Sequence, residues 1–353
     1  MNVLFRRQFL RTAACALGGM VGMWPSADVS AVRATQSTGA GWMQSNLSRL
    51  GTRVLRQLCM PGAHNAGMNV FHSGTAFASA CNTVTQEMSV FAQLCAGARY
   101  FDIRPVISAG QYVAGHYTWV EGLHSWQGAN GQSILSIIDD VNNFTIDQGE
   151  LIFISLSHDL DTDVGNQNYS PFSQGQWNGL LALMLEELRD LFVVDLADSP
   201  DLTALPLNRY IGNGRSAVVV IVKPSGAGIE IDDAAYRGFY SSRAYPVYDS
   251  YANTNQLERM ITDQLAKMRA QRASAEAPCF VLSWTLTQEG LQQVTCPLGL
   301  APSLLEMAST ANAALRTQLL PACTHELFPN ILYVDGINMS LDLDGFAMQI
   351  NSL

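Results

Sequence analysis

Along this chain, apolar runs of five to seven residues bounded by turn-forming residues alternate with longer stretches whose apolar residues return every three or four positions. The short runs lie at 54–59, 99–104, 151–156, 216–222, 279–283 and 331–335 and read as strands, several of them apolar on both faces. The longer stretches read as helices. In 133–144, Ile134, Ile137, Ile138 and Val141 share one face while Asp139 and Asp140 point away from it, and 177–191, 256–271 and 304–320 show the same recurrence. Strands and helices alternating in this way over more than 250 residues predict an α/β fold built on parallel strands. A distorted TIM-type barrel is the leading expectation, with an open doubly wound sheet as the alternative. Only six strands are clear, and the Tyr- and Ser-rich stretch 234–253 has no period, which an irregular barrel accommodates.

Polar residues at the ends of these runs carry the candidate chemistry. The run 54–59 leads into Met60-Pro61-Gly62-Ala63-His64-Asn65-Ala66-Gly67, where the Pro-Gly pair is expected to turn the chain and deliver His64 at a strand end. The small residues around His64 suggest room for a ligand to approach. In 99–104, alternation puts Tyr100, Asp102 and Arg104 on one face and Phe101 and Ile103 on the other. His116 follows twelve residues beyond Arg104, and Asp335 closes the last strand. Charged groups facing into a barrel are costly unless paired or functional. No Gly-x-Ser-x-Gly and no His-Glu-x-x-His occurs, and Gly212-Asn213-Gly214 and Ser225-Gly226-Ala227-Gly228 lack a nucleotide-binding fingerprint and read as turns. Two histidines, two aspartates and an arginine without a serine or cysteine nucleophile suit a reaction whose substrate supplies its own nucleophile. Cleavage of a phosphodiester by an internal hydroxyl is such a reaction: one imidazole accepts a proton, another donates one, and a guanidinium offsets charge on phosphoryl oxygens.

Composition narrows the class. The 353 residues are 48% hydrophobic and 14% charged, which excludes disorder and permits a large core. Net charge is −10, and because 1–34 holds Arg6, Arg7, Arg11 and Arg33 against Asp28, residues 35–353 carry −13. That balance excludes a phosphate-neutralising nucleic-acid surface and disfavours strong docking on anionic membranes. Residues 1–34 have the layout of an export signal: a charged head followed by a short apolar core, with small residues Ala31 and Ala34 at candidate cleavage points. The Arg6-Arg7 pair before Phe9-Leu10 resembles a twin-arginine signal, implying a bacterial protein exported to the periplasm or beyond. Residues 35–353 are expected to form a single catalytic domain. Of seven cysteines, Cys15 lies in the apolar core of the signal and reads as passive there. Disulfides between sequence neighbours, Cys81 with Cys95 and Cys296 with Cys323, are weighed against free buried thiols.

Met60-Pro61-Gly62-Ala63-His64-Asn65, Gly97-Ala98-Arg99-Tyr100-Phe101-Asp102-Ile103-Arg104, His116, Glu150-Leu151-Ile152-Phe153-Ile154-Ser155-Leu156 and Ile331-Leu332-Tyr333-Val334-Asp335 resemble, in order and spacing, the catalytic domain of phosphatidylinositol-specific phospholipase C. The resemblance implies a distorted TIM barrel and a phospholipid substrate cleaved to diacylglycerol and a cyclic inositol phosphate. It implies His64 as general base, His116 as general acid, Arg104 on the phosphate, Asp335 orienting His64 and Asp102 as an acidic partner in the site. Tyr100 and Ser157 stand where calcium-dependent members carry carboxylates, and Asn65 with Asp102 is a poor set for calcium, so no metal or other cofactor is expected. Ser157 also stands where bacterial members carry an inositol-contacting lysine, which leaves the headgroup open.

Further pocket candidates are Asn65, Ser157, His158, Lys223 and His124, the last competing with His116 for the acid role. Arg215, at the other end of the strand from Lys223, is a weaker phosphate candidate, while His72 and His325 read as surface or structural. Tyr117, Trp119 and Trp126 suit either core packing or a rim in peripheral contact with a membrane. A monomer is expected. The rivals are a metal-dependent phosphodiesterase acting on glycerophosphodiesters or sphingolipids, and a non-catalytic barrel that binds inositol or glycan.

Overall fold

A computed structural model of the chain describes residues 39–195, 200–231, 237–274 and 276–353. The export signal expected at 1–34 lies outside them. Eight strands form one parallel sheet: β1 (Met60–Ala63), β2 (Tyr100–Ile103), β3 (Leu151–Leu156), β4 (Ala217–Val222), β5 (Phe239–Ser241), β6 (Val247–Asp249), β7 (Cys279–Trp284) and β8 (Ile331–Val334). Their order across the sheet is β5-β4-β3-β2-β1-β8-β7-β6, which is the sequential order of an eight-stranded barrel cut between β5 and β6. The expected α/β architecture on parallel strands is therefore present as a curled half-barrel, and among the described residues no pairing closes the ring. The cut falls in the stretch without period. Residues 242–246 are too few for the crossover of a dozen or more residues that would make β5 and β6 parallel neighbours.

Alternation along the strands divides the apolar residues into two cores. Met60, Tyr100, Phe153, Val219, Ile221, Val281, Ile331 and Tyr333 face the concave side, and Phe101, Ile103, Ile154, Val220, Leu282 and Val334 face the helices. Four helices occupy the expected periodic stretches: Ile134–Thr145, Gln174–Glu187, Leu257–Gln271 and Leu304–Leu319. Three have the start that their sequences specify. The Oγ atoms of Ser133, Ser173 and Ser303 accept the backbone N–H three residues on, and Gln176 and Glu306 complete capping boxes.

The N-terminal ends of the strands are closed by Trp42, Met43, Leu50, Leu55 and Leu58. A fully buried ion pair anchors this floor, with Arg99 Nε donating to Glu150 Oε2 at 2.8 Å. The remaining guanidinium hydrogens go to the carbonyls of Gly39, Ala40, Leu94 and Ala98, while Glu150 accepts from the backbone N–H groups of Met43 and Gln44. Two buried charges are tolerable because both are fully hydrogen-bonded.

The expected strand at 54–59 is instead a short helical turn, Leu55–Gln57, and the strand begins at Met60. Pro61 and Gly62 belong to this strand and make no turn. A proline is accepted in a central strand because pairing with β2 starts at Gly62, so the missing N–H is not needed, and the Pro61 carbonyl still accepts from Arg99 N. The small residues here serve close packing. A Cβ on Gly62 would stand 2.6 Å from Ile331 Cγ2, and one on Gly67 2.4 Å from Ala114 Cβ.

A second sheet of five strands stands beside the carboxyl end of β2 and is built on the hairpin of Gln111–Val120 and Ser125–Ser133. The disulfide expectation is corrected: Cys81 bonds Cys296, and Cys323 is free, so neither sequence-neighbour pair forms. The short helix Ala80–Thr83 carries Cys81 to the carboxyl side of the strands, where the chain around Cys296 crosses it. No helix among the described residues is long and apolar enough to cross a membrane.

Candidate active site

The carboxyl ends of β1, β2 and β8 bring the polar residues together. Ala63 is paired with Val334 in parallel register, so the next residues with inward side chains, His64 and Asp335, become neighbours although they lie 271 positions apart. His64 Nδ1 stands 2.6 Å from Asp335 Oδ1, and Arg104 Nη2 stands 2.7 Å from His64 Nε2. A guanidinium can only donate, so Nε2 is the acceptor and Nδ1 carries the proton that Asp335 accepts. His64 is therefore a neutral imidazole held in a single tautomer, with its lone pair toward Arg104.

Asp102 holds Arg104 in place. Its carboxylate accepts four donors: Arg104 Nε at 2.9 Å, Tyr333 Oη at 2.6 Å, Ser157 Oγ at 2.9 Å and Asn65 N at 3.1 Å. Burial pushes this carboxyl upward, but the positive charge of Arg104, with the hydrogen bond donated by Tyr333, holds it well below the usual carboxylate range. Arg104 responds in the opposite sense: burial would lower it, and Asp102 keeps it firmly cationic. With both Asp102 oxygens engaged by protein donors, the carboxylate does not offer the free oxygen set that a calcium ion takes, six to eight ligands in all. Among the described residues no group of three His, Cys, Asp or Glu side chains is placed to hold a metal ion.

His116 comes from the hairpin rather than the main sheet. Its Nδ1 lies 3.0 Å from the Thr83 carbonyl, which can only accept, so Nδ1 is protonated and Nε2 is the free atom. The two imidazoles stand with centroids 6.5 Å apart and planes at 81°. Burial, and next the positive charge of Arg104, lower the His116 pKa to about 3.

These residues line a cavity of about 630 Å³. Tyr100, Lys223 and the exposed Asp249 also line it, with the Lys223 ammonium 3.4 Å from the Tyr100 hydroxyl. Burial lowers Lys223, yet Tyr100 and Asp249 outweigh it and raise its pKa. Around the mouth stand Phe77, Trp119, Leu123, Tyr251 and Val294, all exposed or partly so. Trp119 and Trp126 meet edge to face at 6.1 Å on this rim.

Of the residues singled out in the sequence, His64, Asp102, Arg104, His116, Ser157, His158, Lys223 and Asp335 all line this one cavity. His158 hydrogen-bonds Ser157 Oγ at 2.8 Å, and Arg104, then burial, lower its pKa; its exposed position lets solvent screen that effect. Two candidates fall elsewhere. The His124 side chain is 79% exposed, beside Glu121 on a tight turn, and is not among the lining residues. Asn65 reaches the site only through its backbone N–H, its side chain being buried outside the cavity wall. Arg215 is at the opposite end of β4, paired with Asp190, and His325 is exposed beside Glu326.

Sequence reasoning passed over Tyr333, Thr83 and Asp249 as site residues, and it put Tyr100 on the face of Asp102 and Arg104 without assigning it a role. Tyr333 is two positions before Asp335, so strand alternation alone would have put it on the site face. Thr83 acts through its backbone, which leaves no side-chain signal. Asp249 lies in the stretch without period.

No protein-family model matches the sequence, and no curated protein matches it either. Solved structures do resemble it. The phosphatidylinositol-specific phospholipase C from Listeria monocytogenes superimposes with a TM-score of 0.57 at 16% identity, covering 90% of this chain and 100% of that one. A mutant of the Staphylococcus aureus phosphatidylinositol-specific phospholipase C gives 0.57 at 15% identity over 88% and 98%. A further S. aureus structure, from work on the membrane binding of that enzyme, gives 0.57 at 17% over 87% and 97%. The chain thus shares the fold of bacterial phosphatidylinositol-specific phospholipases C.

Proposed function

We propose that this protein is an exported phosphodiesterase of the phosphatidylinositol-specific phospholipase C type. The single observation that carries the reading is that His64 and His116 have their Nδ1 atoms tied back to Asp335 and Thr83, leaving two Nε2 atoms and the Arg104 guanidinium in one cavity.

In the proposed reaction the phosphate enters between Arg104 and His116. A phosphoryl oxygen is a stronger acceptor for Arg104 Nη2 than an imidazole, so the guanidinium turns toward it while Asp102 keeps Nε anchored. That frees the His64 lone pair to accept the proton of the inositol 2-hydroxyl as its oxygen attacks phosphorus. Asp335 stabilises the imidazolium that forms. The diacylglycerol oxygen leaves with a proton from His116 Nε2, and the products are diacylglycerol and a cyclic inositol phosphate. Burial and Arg104 favour the neutral His116 ring, so its acid role requires the substrate's anion, which offsets the field of Arg104 and raises the imidazole pKa.

Lys223, Asp249 and Ser157 supply a cation, an acceptor and a hydroxyl for a polyhydroxylated headgroup, and the apolar rim suits acyl chains. Release of diacylglycerol from micellar phosphatidylinositol tests the reading. The wild type should release it and His64→Ala should not; equal release from phosphatidylcholine, or none from phosphatidylinositol, contradicts it.

A further inference from the structure

The Thr83 carbonyl that fixes the tautomer of His116 belongs to a single helical turn, Ala80–Thr83, and this turn is bonded covalently to the opposite lip of the cavity through Cys81–Cys296. The first lip, with Phe77, Ala78, Asn82 and Thr83, and the second, with Gln288, Gly290, Gln293 and Val294, both line the catalytic cavity. Besides the disulfide, Asn82 Nδ2 donates to the Gln293 carbonyl at 2.8 Å and Gln288 Nε2 to the Cys81 carbonyl at 3.4 Å.

The second lip is anchored at Gln288, which is buried and donates to the Pro302 carbonyl at 2.7 Å, but beyond it the segment buries little apolar surface. Leu291, Leu298 and Leu300 are 77%, 72% and 75% exposed, so little apolar burial pins this segment down. The disulfide can be approached from the Cys81 side, Cys296 being buried. A second cavity, lined by both cysteines together with Leu257, Leu286, Pro302 and Met307, lies against it, and Cys81 is only partly buried.

We propose that Cys81–Cys296 is a redox-sensitive positioning element for His116, a proposal that rests on the acid role assigned to His116 above. A dithiol reductant reaching the second cavity attacks one sulfur as a thiolate and forms a mixed disulfide. Its second thiol then displaces the protein sulfur, leaving Cys81 and Cys296 as two thiols and the reductant as its own disulfide. With the lips unclasped, the Ala80–Thr83 turn loses its covalent support, the Thr83 carbonyl leaves His116 Nδ1, and the imidazole is free to rotate and exchange tautomers. The pocket persists, because His64, Arg104 and Lys223 directly follow β1, β2 and β4 of the main sheet. The consequence is therefore a loss in kcat with KM nearly unchanged.

The test uses long-range proton–nitrogen NMR of His116, assigned with His116→Gln, alongside kinetics on phosphatidylinositol and far-UV circular dichroism. Three forms are compared: the oxidised protein, the protein reduced with dithiothreitol, and Cys81→Ser/Cys296→Ser. The oxidised form should hold one Nδ1-protonated tautomer. The two open forms should show both tautomers, unchanged circular dichroism, and a kcat lower by about tenfold, in keeping with the cost of misplacing one proton-transfer group. Glutathione disulfide should restore the reduced wild type and leave the double variant unchanged. A single unchanged tautomer in both open forms overturns the proposal, as does their global unfolding, which would make the disulfide a clamp on the whole fold. Absence of turnover in every form, oxidised included, defeats the enzymatic reading instead, and the tautomer populations still decide whether the disulfide positions His116.

Discussion

His64 and His116 reach the same cavity from two different sheets, with ring centroids 6.5 Å apart, and each has its Nδ1 tied to an acceptor behind it. Asp335 carries a charge that supports an imidazolium, whereas the Thr83 carbonyl is neutral. The two rings share a tautomer but differ in what protonation would meet. That difference is the physical basis for giving them opposite roles.

Removal of either imidazole should therefore cut turnover sharply without unfolding the protein. His64→Ala and His116→Ala are each expected to lower kcat by about 10²–10⁴, the usual range for one acid or base, with unchanged circular dichroism. Arg104→Lys should also lose activity, since an ammonium cannot hold Asp102 and a phosphoryl oxygen in the fixed geometry of a guanidinium.

Acid should weaken the fold in a defined window. His116 is lowered in the folded state from an ordinary value of about 6.5 to about 3, so the unfolded chain binds the proton first. The stability contributed by the neutral ring is present above about pH 6.5 and is lost progressively toward about pH 3. Asp102 is depressed as an acid, so its contribution is lost only below about pH 4, the ordinary aspartate value. Urea denaturation between pH 7 and pH 4 should show falling stability, flattened in His116→Gln. Inorganic phosphate should raise the His116 titration observed by NMR, because an anion beside Arg104 offsets the field that depresses it.

At the floor of the strands the Arg99–Glu150 pair should matter for stability alone. Glu150→Gln removes one charge from a pair that is 0% exposed on both sides, and breaking such a pair costs about 3–5 kcal/mol. Chemical denaturation should report that loss, while kcat per folded molecule stays at the wild-type level.

The sequence was informative where chemistry and local geometry coincide. Alternation in 99–104 put Tyr100, Asp102 and Arg104 on one face, and β2 has that arrangement. It misled where pairing partners decide. Pro61-Gly62 reads locally as a turn, yet it is strand because β8 supplies a full ladder on one side and β2 starts late on the other. Contacts made through the backbone, such as Thr83 with His116, or across the lips, such as Cys81 with Cys296, depend on segments distant in the chain, and periodicity does not report on those.

Headgroup choice should follow Lys223 and Asp249 in the cavity lining. Lys223→Met and Asp249→Asn are expected to raise KM for phosphatidylinositol about tenfold or more, the loss of a charged hydrogen bond being worth about 1.5–3 kcal/mol. The effect on a phosphodiester with a small headgroup should be much smaller. Competition between the two substrates measures that difference directly.

The central claim is that the substrate's own hydroxyl attacks phosphorus, with His64 and His116 exchanging the protons. Phosphorus NMR of phosphatidylinositol incubated with the protein in excess chelator tests it most directly. A five-membered cyclic inositol phosphate resonance that appears before any acyclic phosphate, and is absent with His64→Ala, is the expected result. An acyclic phosphate as first product, or turnover that depends on added calcium, contradicts it.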